Sequence, residues 1–121
     1  MNRPQRTLRC PAKINLALSV GGLDDNGLHP IASWMEPISF YDEITVVRDP
    51  EPPVVSDVVF ADDAPRPQVV EWPIERDLAF RALTALRSAA DAPWEAALHI
   101  RKRIPAGAGL GGGSSDAAGA L

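Results

Sequence analysis

The stretch Ile104-Pro105-Ala106-Gly107-Ala108-Gly109-Leu110-Gly111-Gly112-Gly113-Ser114-Ser115-Asp116-Ala117-Ala118 decides how this 121-residue sequence is read. Five of the nine glycines fall between positions 107 and 113, and their neighbours on either side fix their meaning. Upstream, Trp94 to Arg103 (WEAALHIRKR) sets Leu98 and Ile100 on one parity against Ala97 and His99 on the other, the period of a strand. Downstream, the sequence from Ser114 onward is rich in alanine and predicts the first turns of a helix. The glycines therefore stand between a strand and a helix N-terminus.

Three readings compete for such a loop. A solvated Gly/Ser linker fits poorly, because an apolar strand and an alanine-rich segment flank it and Leu110 sits in its middle. Gly107, Gly109 and Gly112 satisfy the dinucleotide pattern G-x-G-x-x-G. That pattern opens a βαβ unit with an acidic residue about 20 positions further on, and only nine residues follow Gly112. The third reading is a loop for a nucleotide triphosphate. Glycines let the backbone approach phosphate and turn successive N–H groups inward, while a helix beginning near Ser114 adds its positive dipole end. Ser114 and Ser115 offer hydroxyls to phosphate oxygens or to the hydration shell of a magnesium ion, with Ser114 the candidate nearest the metal. This is not a Walker loop, since Gly113 stands where that motif carries lysine. Charge neutralisation has to come from elsewhere in the chain.

Outward from the loop, Thr7 to Val20 alternates with Leu8, Cys10, Ala12, Ile14, Leu16 and Leu18 on one parity, predicting a strand with an irregularity at Pro11 and with Lys13 and Asn15 on its other face. The Asp-Asn-Gly core of residues 21–30 signals a turn. Ile38 to Arg48 predicts a second strand region, interrupted by a polar corner at Tyr41-Asp42-Glu43. Between Asp49 and Pro73 lie six of the twelve prolines, which predicts short edge strands at Val54 to Phe60 and Gln68 to Trp72. Glu75 to Ala90 predicts an amphipathic helix with Leu78, Ala82, Ala85, Leu86 and Ala89 inward and Arg76, Arg81 and Arg87 toward water.

Composition narrows the function classes. Twelve basic and sixteen acidic residues leave a net charge of −4, so no general attraction to nucleic acid or to an anionic membrane is expected. The single cysteine, Cys10, has no partner for a disulfide or a metal site and is expected to be buried. No apolar run reaches the roughly 18 residues of a membrane span, and the N-terminal arginines lack a signal peptide's apolar core, so a cytoplasmic location is expected.

Three separated stretches, PAKINL at Pro11 to Leu16, DDNGLH at Asp24 to His29 and the glycine loop, resemble in order the motifs of the GHMP kinases. The triple-glycine form is similar to the branch that phosphorylates 4-diphosphocytidyl-2-C-methyl-D-erythritol. The resemblance implies an α+β fold, the ribosomal-protein-like βαβ sheet-and-helix arrangement of a GHMP kinase amino-terminal domain. It implies transfer of the ATP γ-phosphoryl group with Mg2+, chemistry that consists largely of positioning and charge stabilisation.

Residue by residue, Lys13 matches the family's active-site lysine, whereas by itself it reads first as an ordinary solvated lysine. Pro105 to Ser115 match the nucleotide loop. Asn15 resembles a substrate-contacting asparagine, and His29 the histidine that reads the cytosine edge of a cytidine-diphosphate-linked polyol, with a plain turn histidine as the alternative. Leu28 stands where the family carries a tyrosine, and Pro30 follows, which leaves another small alcohol open as acceptor. Asp77-Leu78 occupies the place of an Asn-Leu pair beside the adenine, where Asp77 either accepts from the base or caps the helix. No match to the family's catalytic aspartate is present. The resemblance implies that residues 1–121 are an ATP-binding amino-terminal domain, cut within its last helix and lacking the carboxy-terminal domain, and weakly active or inactive alone. A nucleotide-binding module without catalysis is the remaining alternative, and oligomeric state is not legible.

Overall fold

The computed structural model describes residues 4–50, 55–91 and 94–121. Two long strands, β1 (Gln5–Val20) and β2 (Ile31–Arg48), form an antiparallel ribbon. A short strand β3 (Asp57–Phe60) is followed by one 3-10 turn at Ile74–Arg76, helix α1 (Leu78–Ala89), strand β4 (Ala96–Lys102) and helix α2 (Gly112–Ala120). The sheet order is β1-β2-β4-β3, with β4 antiparallel to β2 and parallel to β3. The segment β3-α1-β4 is thus a βαβ unit in a mixed α+β fold, the expected class.

Side-chain period explains where the core sits. Cys10 and Ala12 of β1, Ile44 of β2, and Leu98 and Ile100 of β4 are buried, and Ala79, Leu83 and Ala120 cover them from the helices. Cys10 is the buried thiol expected. A Cβ at Gly119 would lie 2.6 Å from Cys10 Sγ and 3.0 Å from Ile44 Cδ1. Only glycine lets α2 settle this close to the sheet.

Several expectations change in instructive ways. The β1 parity holds only as far as Ala12, because the register slips between Pro11 and Lys13 and again between Asn15 and Ala17. Each slip is a bulge, and the ribbon from the second onward leaves Leu16, Leu18, Ile31 and Trp34 exposed. β2 starts at Ile31, not Ile38, and runs unbroken through Tyr41-Asp42-Glu43. Asp42 does not make a corner because its carboxylate is fully hydrogen-bonded inside the protein.

Of the two edge strands, the first is observed as Asp57–Phe60, with Val54 outside the described residues. Residues 68–72 form no strand. Prolines 67 and 73 bracket them, and the Gln68 side chain is used elsewhere, accepting from the N–H of Ala106 at 3.0 Å. The helix expected over Glu75 to Ala90 is split: Asp77 leaves helical geometry and caps α1, its Oδ1 accepting from the N–H groups of Ala79 and Phe80. The buried face is Ala79 and Leu83 rather than the stripe on Leu78, Ala82 and Ala85. Arg87 lies across the Trp94 ring and donates to the Trp94 carbonyl at 3.0 Å, rather than pointing to water.

Candidate active site

The loop from Pro105 to Gly111 joins β4 to α2, and its backbone departs from regular geometry at every second residue. Gly107, Gly109 and Gly111 have φ of +71°, +75° and +70°, left-handed values that favour glycine. The alternation turns the peptide planes in succession. Among the described residues, the backbone N–H groups of residues 107 to 114 have no hydrogen-bond acceptor, and the first helical bond of α2 is donated by Ser115 to the Gly111 carbonyl. Helix N-termini leave donors unpaired as a rule. Here the row extends back through the loop, into a segment exposed from Ala106 to Gly109. Helix α2 begins at Gly112, two residues before the expected Ser114, so Ser114 and Ser115 stand in its first turn.

A cavity of about 370 Å3 opens over this row of donors, lined by Pro105 to Ser114, by Lys102, and by Trp72, Arg76, Asp77 and Leu78 from the segment that enters α1. The Trp72 indole N–H donates to Asp77 Oδ2 at 3.1 Å, so the helix cap also fixes the aromatic wall. Of the two readings of Asp77, the cap is the one formed.

Lys13 reaches the loop from β1. Its backbone N–H, freed from the ladder by the first bulge, donates to the Leu110 carbonyl at 2.9 Å, and its ammonium donates to the Gly109 carbonyl at 2.9 Å. The stem lies along the loop so closely that a Cβ on Gly111 would be 3.1 Å from Lys13 Cγ. Asn15 Oδ1 is 3.5 Å from the same ammonium and accepts from Ser33 Oγ at 3.2 Å. Lys13 is separated by almost a hundred positions from the loop it meets. The bulge after Pro11 aims it there, and Asn15 joins it only through the Lys13 ammonium.

His29 is not brought to this cluster. It belongs to the connection between β1 and β2, about seven strand residues or roughly 23 Å of ribbon beyond Lys13. Asp24 Oδ1 organises that turn by accepting from the N–H groups of Asn26 and Leu28. His29 Nδ1 is 2.8 Å from the Gly21 carbonyl, which can only accept, so Nδ1 carries the proton and Nε2 is left as an acceptor.

A group missed in the sequence lies under the loop: Asp42, Lys102 and Asp116, all buried and joined through the Lys102 ammonium. The signal was present, because Lys102 continues the parity of Leu98 and Ile100 and an inward lysine requires carboxylates. Burial pushes the Asp116 carboxyl up to about 7, against the pull of Lys102, while Asp42 adds to the rise. Burial works to lower the Lys102 ammonium, but Asp116 and Asp42 outweigh it and leave it raised. Trp72, Arg76 and Gln68 were also missed, in a proline-rich stretch without periodicity. Among the described residues no group of three or more His, Cys, Asp or Glu is placed to hold a metal ion, and no helix is long and apolar enough to cross a membrane.

Residues 77–121, which run from the α1 cap through β4 and the loop to α2, match the family model described as GHMP kinases N terminal domain. In sequence over that segment, and in fold, the chain is similar to the GHMP kinase amino-terminal domain. Within that class, its curated relatives include a 4-diphosphocytidyl-2-C-methyl-D-erythritol kinase of Cutibacterium acnes, 41% identical over 95% of this chain and 37% of that protein. Another of the same name, from Deinococcus radiodurans, is 41% identical over 92% of this chain and 34% of its own length. A crystal structure of 4-(cytidine 5'-diphospho)-2C-methyl-D-erythritol kinase superposes with a TM-score of 0.69 at 36% identity, covering 96% of this chain and 38% of that one. A homoserine kinase from Cytophaga hutchinsonii shares the fold at a TM-score of 0.58 and 14% identity. The chain spans little more than a third of the length of these relatives.

Proposed function

We propose that residues 1–121 form the nucleotide-binding domain of a cytoplasmic, ATP-dependent kinase that phosphorylates the 2-hydroxyl of 4-diphosphocytidyl-2-C-methyl-D-erythritol on the way to isoprenoid precursors. The observation that carries this reading is the row of unpaired N–H groups from Gly107 to Ser114 at the start of α2, with the Lys13 ammonium laid along its other side. Such a row suits phosphate oxygens, which the helix dipole attracts further. The names of the curated relatives support the acceptor.

In this reading the cavity takes the nucleotide, with the base against Trp72 and Leu78 and the phosphates over the loop. The exposed Ser114 hydroxyl is the protein group that would hold a magnesium ion bound with the phosphates, and such an ion would neutralise part of their charge. Lys13 faces the transferred phosphoryl from the β1 side, where a fixed cation stabilises developing charge. Asn15 orients the acceptor. His29 Nε2 is free to accept from the amino group of cytosine. Asp116 is not the base for the acceptor hydroxyl, because it is buried and bonded to Lys102.

The test, made with a catalytically competent kinase carrying this domain, is transfer of labelled γ-phosphate from ATP to this acceptor, followed by 31P NMR, beside competition by cytidine diphosphate for acceptor binding. Label on the 2-hydroxyl supports the reading. A second acceptor class is favoured by Leu28, exposed on the turn beside His29 where an aromatic ring would stack on a base. Transfer to a small alcohol with no effect of cytidine diphosphate would select it, and nucleotide binding without transfer to either acceptor would leave a binding module.

A further inference from the structure

A polyphosphate brings several negative charges, and the glycine loop meets them with backbone dipoles but no cation of its own. The charged side chains that line the cavity are Lys102, Asp77 and Arg76. Lys102 is already committed: its buried ammonium donates to Asp42 Oδ2 at 2.5 Å and to Asp116 Oδ2 at 2.8 Å. With two buried carboxylates bonded to one ammonium, that group has no positive charge to spare for a ligand. Asp77 is committed as well, since its carboxylate accepts from the N–H groups of Ala79 and Phe80 and from the Trp72 indole. It leaves a negative charge in the cavity wall. Lys13 does not line the cavity, and its ammonium is held by the Gly109 carbonyl.

Arg76 is the charge that remains. Arg48, Arg87 and Arg103 each hold an acid, Asp49, Glu95 and Asp63 in turn. Arg76 stands between Glu75 and Asp77 in the sequence, yet it is exposed and makes no ion pair among the described residues. Its backbone, by contrast, is fixed. The 3-10 turn at residues 74–76 is closed by the Arg76 N–H donating to the Pro73 carbonyl at 2.9 Å and the Asp77 N–H donating to the Ile74 carbonyl at 3.0 Å. A long cationic side chain is thus mounted on a fixed turn in the cavity lining, with its donors unspent.

The place of that turn decides which part of a nucleotide Arg76 meets. It lies between Trp72 and Leu78, on the wall that takes the base in the nucleotide reading, and the phosphate nearest the base is the one joined to the ribose. We propose that Arg76 is a nucleotide-binding residue whose guanidinium pairs with this α-phosphate and leaves the loop amides to the phosphates beyond it. A guanidinium offers two parallel N–H groups to two phosphate oxygens. Its charge also offsets that of Asp77, which repels an anion entering the cavity. Arg76 thereby supplies the cation that the loop, with Gly113 in the place of a Walker lysine, does not carry.

The assignment rests on the nucleotide reading, and one set of titrations separates their fates. ADP, AMP and adenosine are titrated calorimetrically into the 121-residue chain, as wild type and as Arg76→Gln, at low and at high salt. The variant is expected to weaken ADP and AMP alike, by roughly tenfold, the scale of one lost hydrogen bond to a charged group. It is expected to leave adenosine unchanged and to reduce the salt dependence of ADP binding. Arg76→Lys keeps the charge without the paired donors and should fall between the two proteins. With ADP bound by the wild type, an unchanged ADP affinity in Arg76→Gln, an equal loss for adenosine, or a loss for ADP that spares AMP overturns the assignment and leaves the nucleotide reading standing. Absence of ADP binding to the wild type overturns both.

Discussion

Adjacent glycines at the start of α2 should answer oppositely to alanine. A Cβ at Gly112 would lie 2.9 Å from Ile104 Cγ2, 3.1 Å from Ile104 Cβ and 3.3 Å from Asp42 Oδ2. Neither neighbour can give: Ile104 is fully buried and branched at Cβ, and Asp42 is held by three donors. Overpacking of this kind costs about 1–3 kcal/mol, and the gain in helix propensity from Gly to Ala returns less than ~1 kcal/mol at a terminal position. Gly112→Ala should therefore destabilise by about 1–2 kcal/mol. At Gly113 the new methyl would meet only Leu78 Cδ1 at 3.4 Å, the end of a flexible and half-exposed side chain. Gly113→Ala should be neutral or stabilising by up to ~1 kcal/mol. Urea unfolding with a slope of about 2 kcal/mol/M separates the two midpoints by roughly 1 M. Equal destabilisation of both variants, or a stable Gly112→Ala, would refute the claim that the start of α2 is docked against Ile104 and Asp42.

Three further outcomes are expected. Lys13→Ala, in a catalytically competent kinase carrying this domain, should lower turnover by two or more orders of magnitude while the nucleotide Kd changes less than about threefold, because Lys13 lies outside the nucleotide cavity; parallel loss of both would assign Lys13 to ground-state binding. Trp72→Leu should weaken ADP binding by roughly tenfold, the scale of one lost stacking contact, and leave inorganic tripolyphosphate unaffected; equal losses for both ligands would mean the indole does not meet the base. Asp116 takes up its proton more readily folded, at about 7 against 3.8, so the folded state binds more protons between those values. Stability should therefore fall as pH rises from 4 to 7 and level off above, and Asp116→Asn should flatten that part of the curve; a wild-type curve that rises over the same interval contradicts the assignment.

The parts of the fold legible in the sequence were those governed by a single period or a single residue type. The alternation of Leu98 and Ile100 marked β4, the glycines marked the loop, and the alanines after Ser114 marked α2 to within two residues. Pro11 marked the bulge, and through it the place where Lys13 leaves the ladder. What could not be read depended on distant partners. Asp42 looked like a corner because its three donors come from residues 102–104. The α1 stripe was displaced by one residue because Asp77 resets where the helix begins, and Leu78 then faces the cavity instead of the sheet. Gln68 to Trp72 has the residues of an edge strand but serves the loop and the cavity wall, through Gln68 on Ala106 and Trp72 on Asp77. No local pattern announces such a role.

The central claim is that the unpaired N–H groups of residues 107–114 receive phosphate. It is tested most directly by 15N–1H NMR of the 121-residue chain titrated with ADP and, separately, with adenosine. Saturable ADP-dependent shifts concentrated at Gly107 to Ser114, with adenosine leaving those amides in place, are the expected result. Absence of saturable binding, or shifts centred on the turn at residues 21–30 with the loop unchanged, would contradict it.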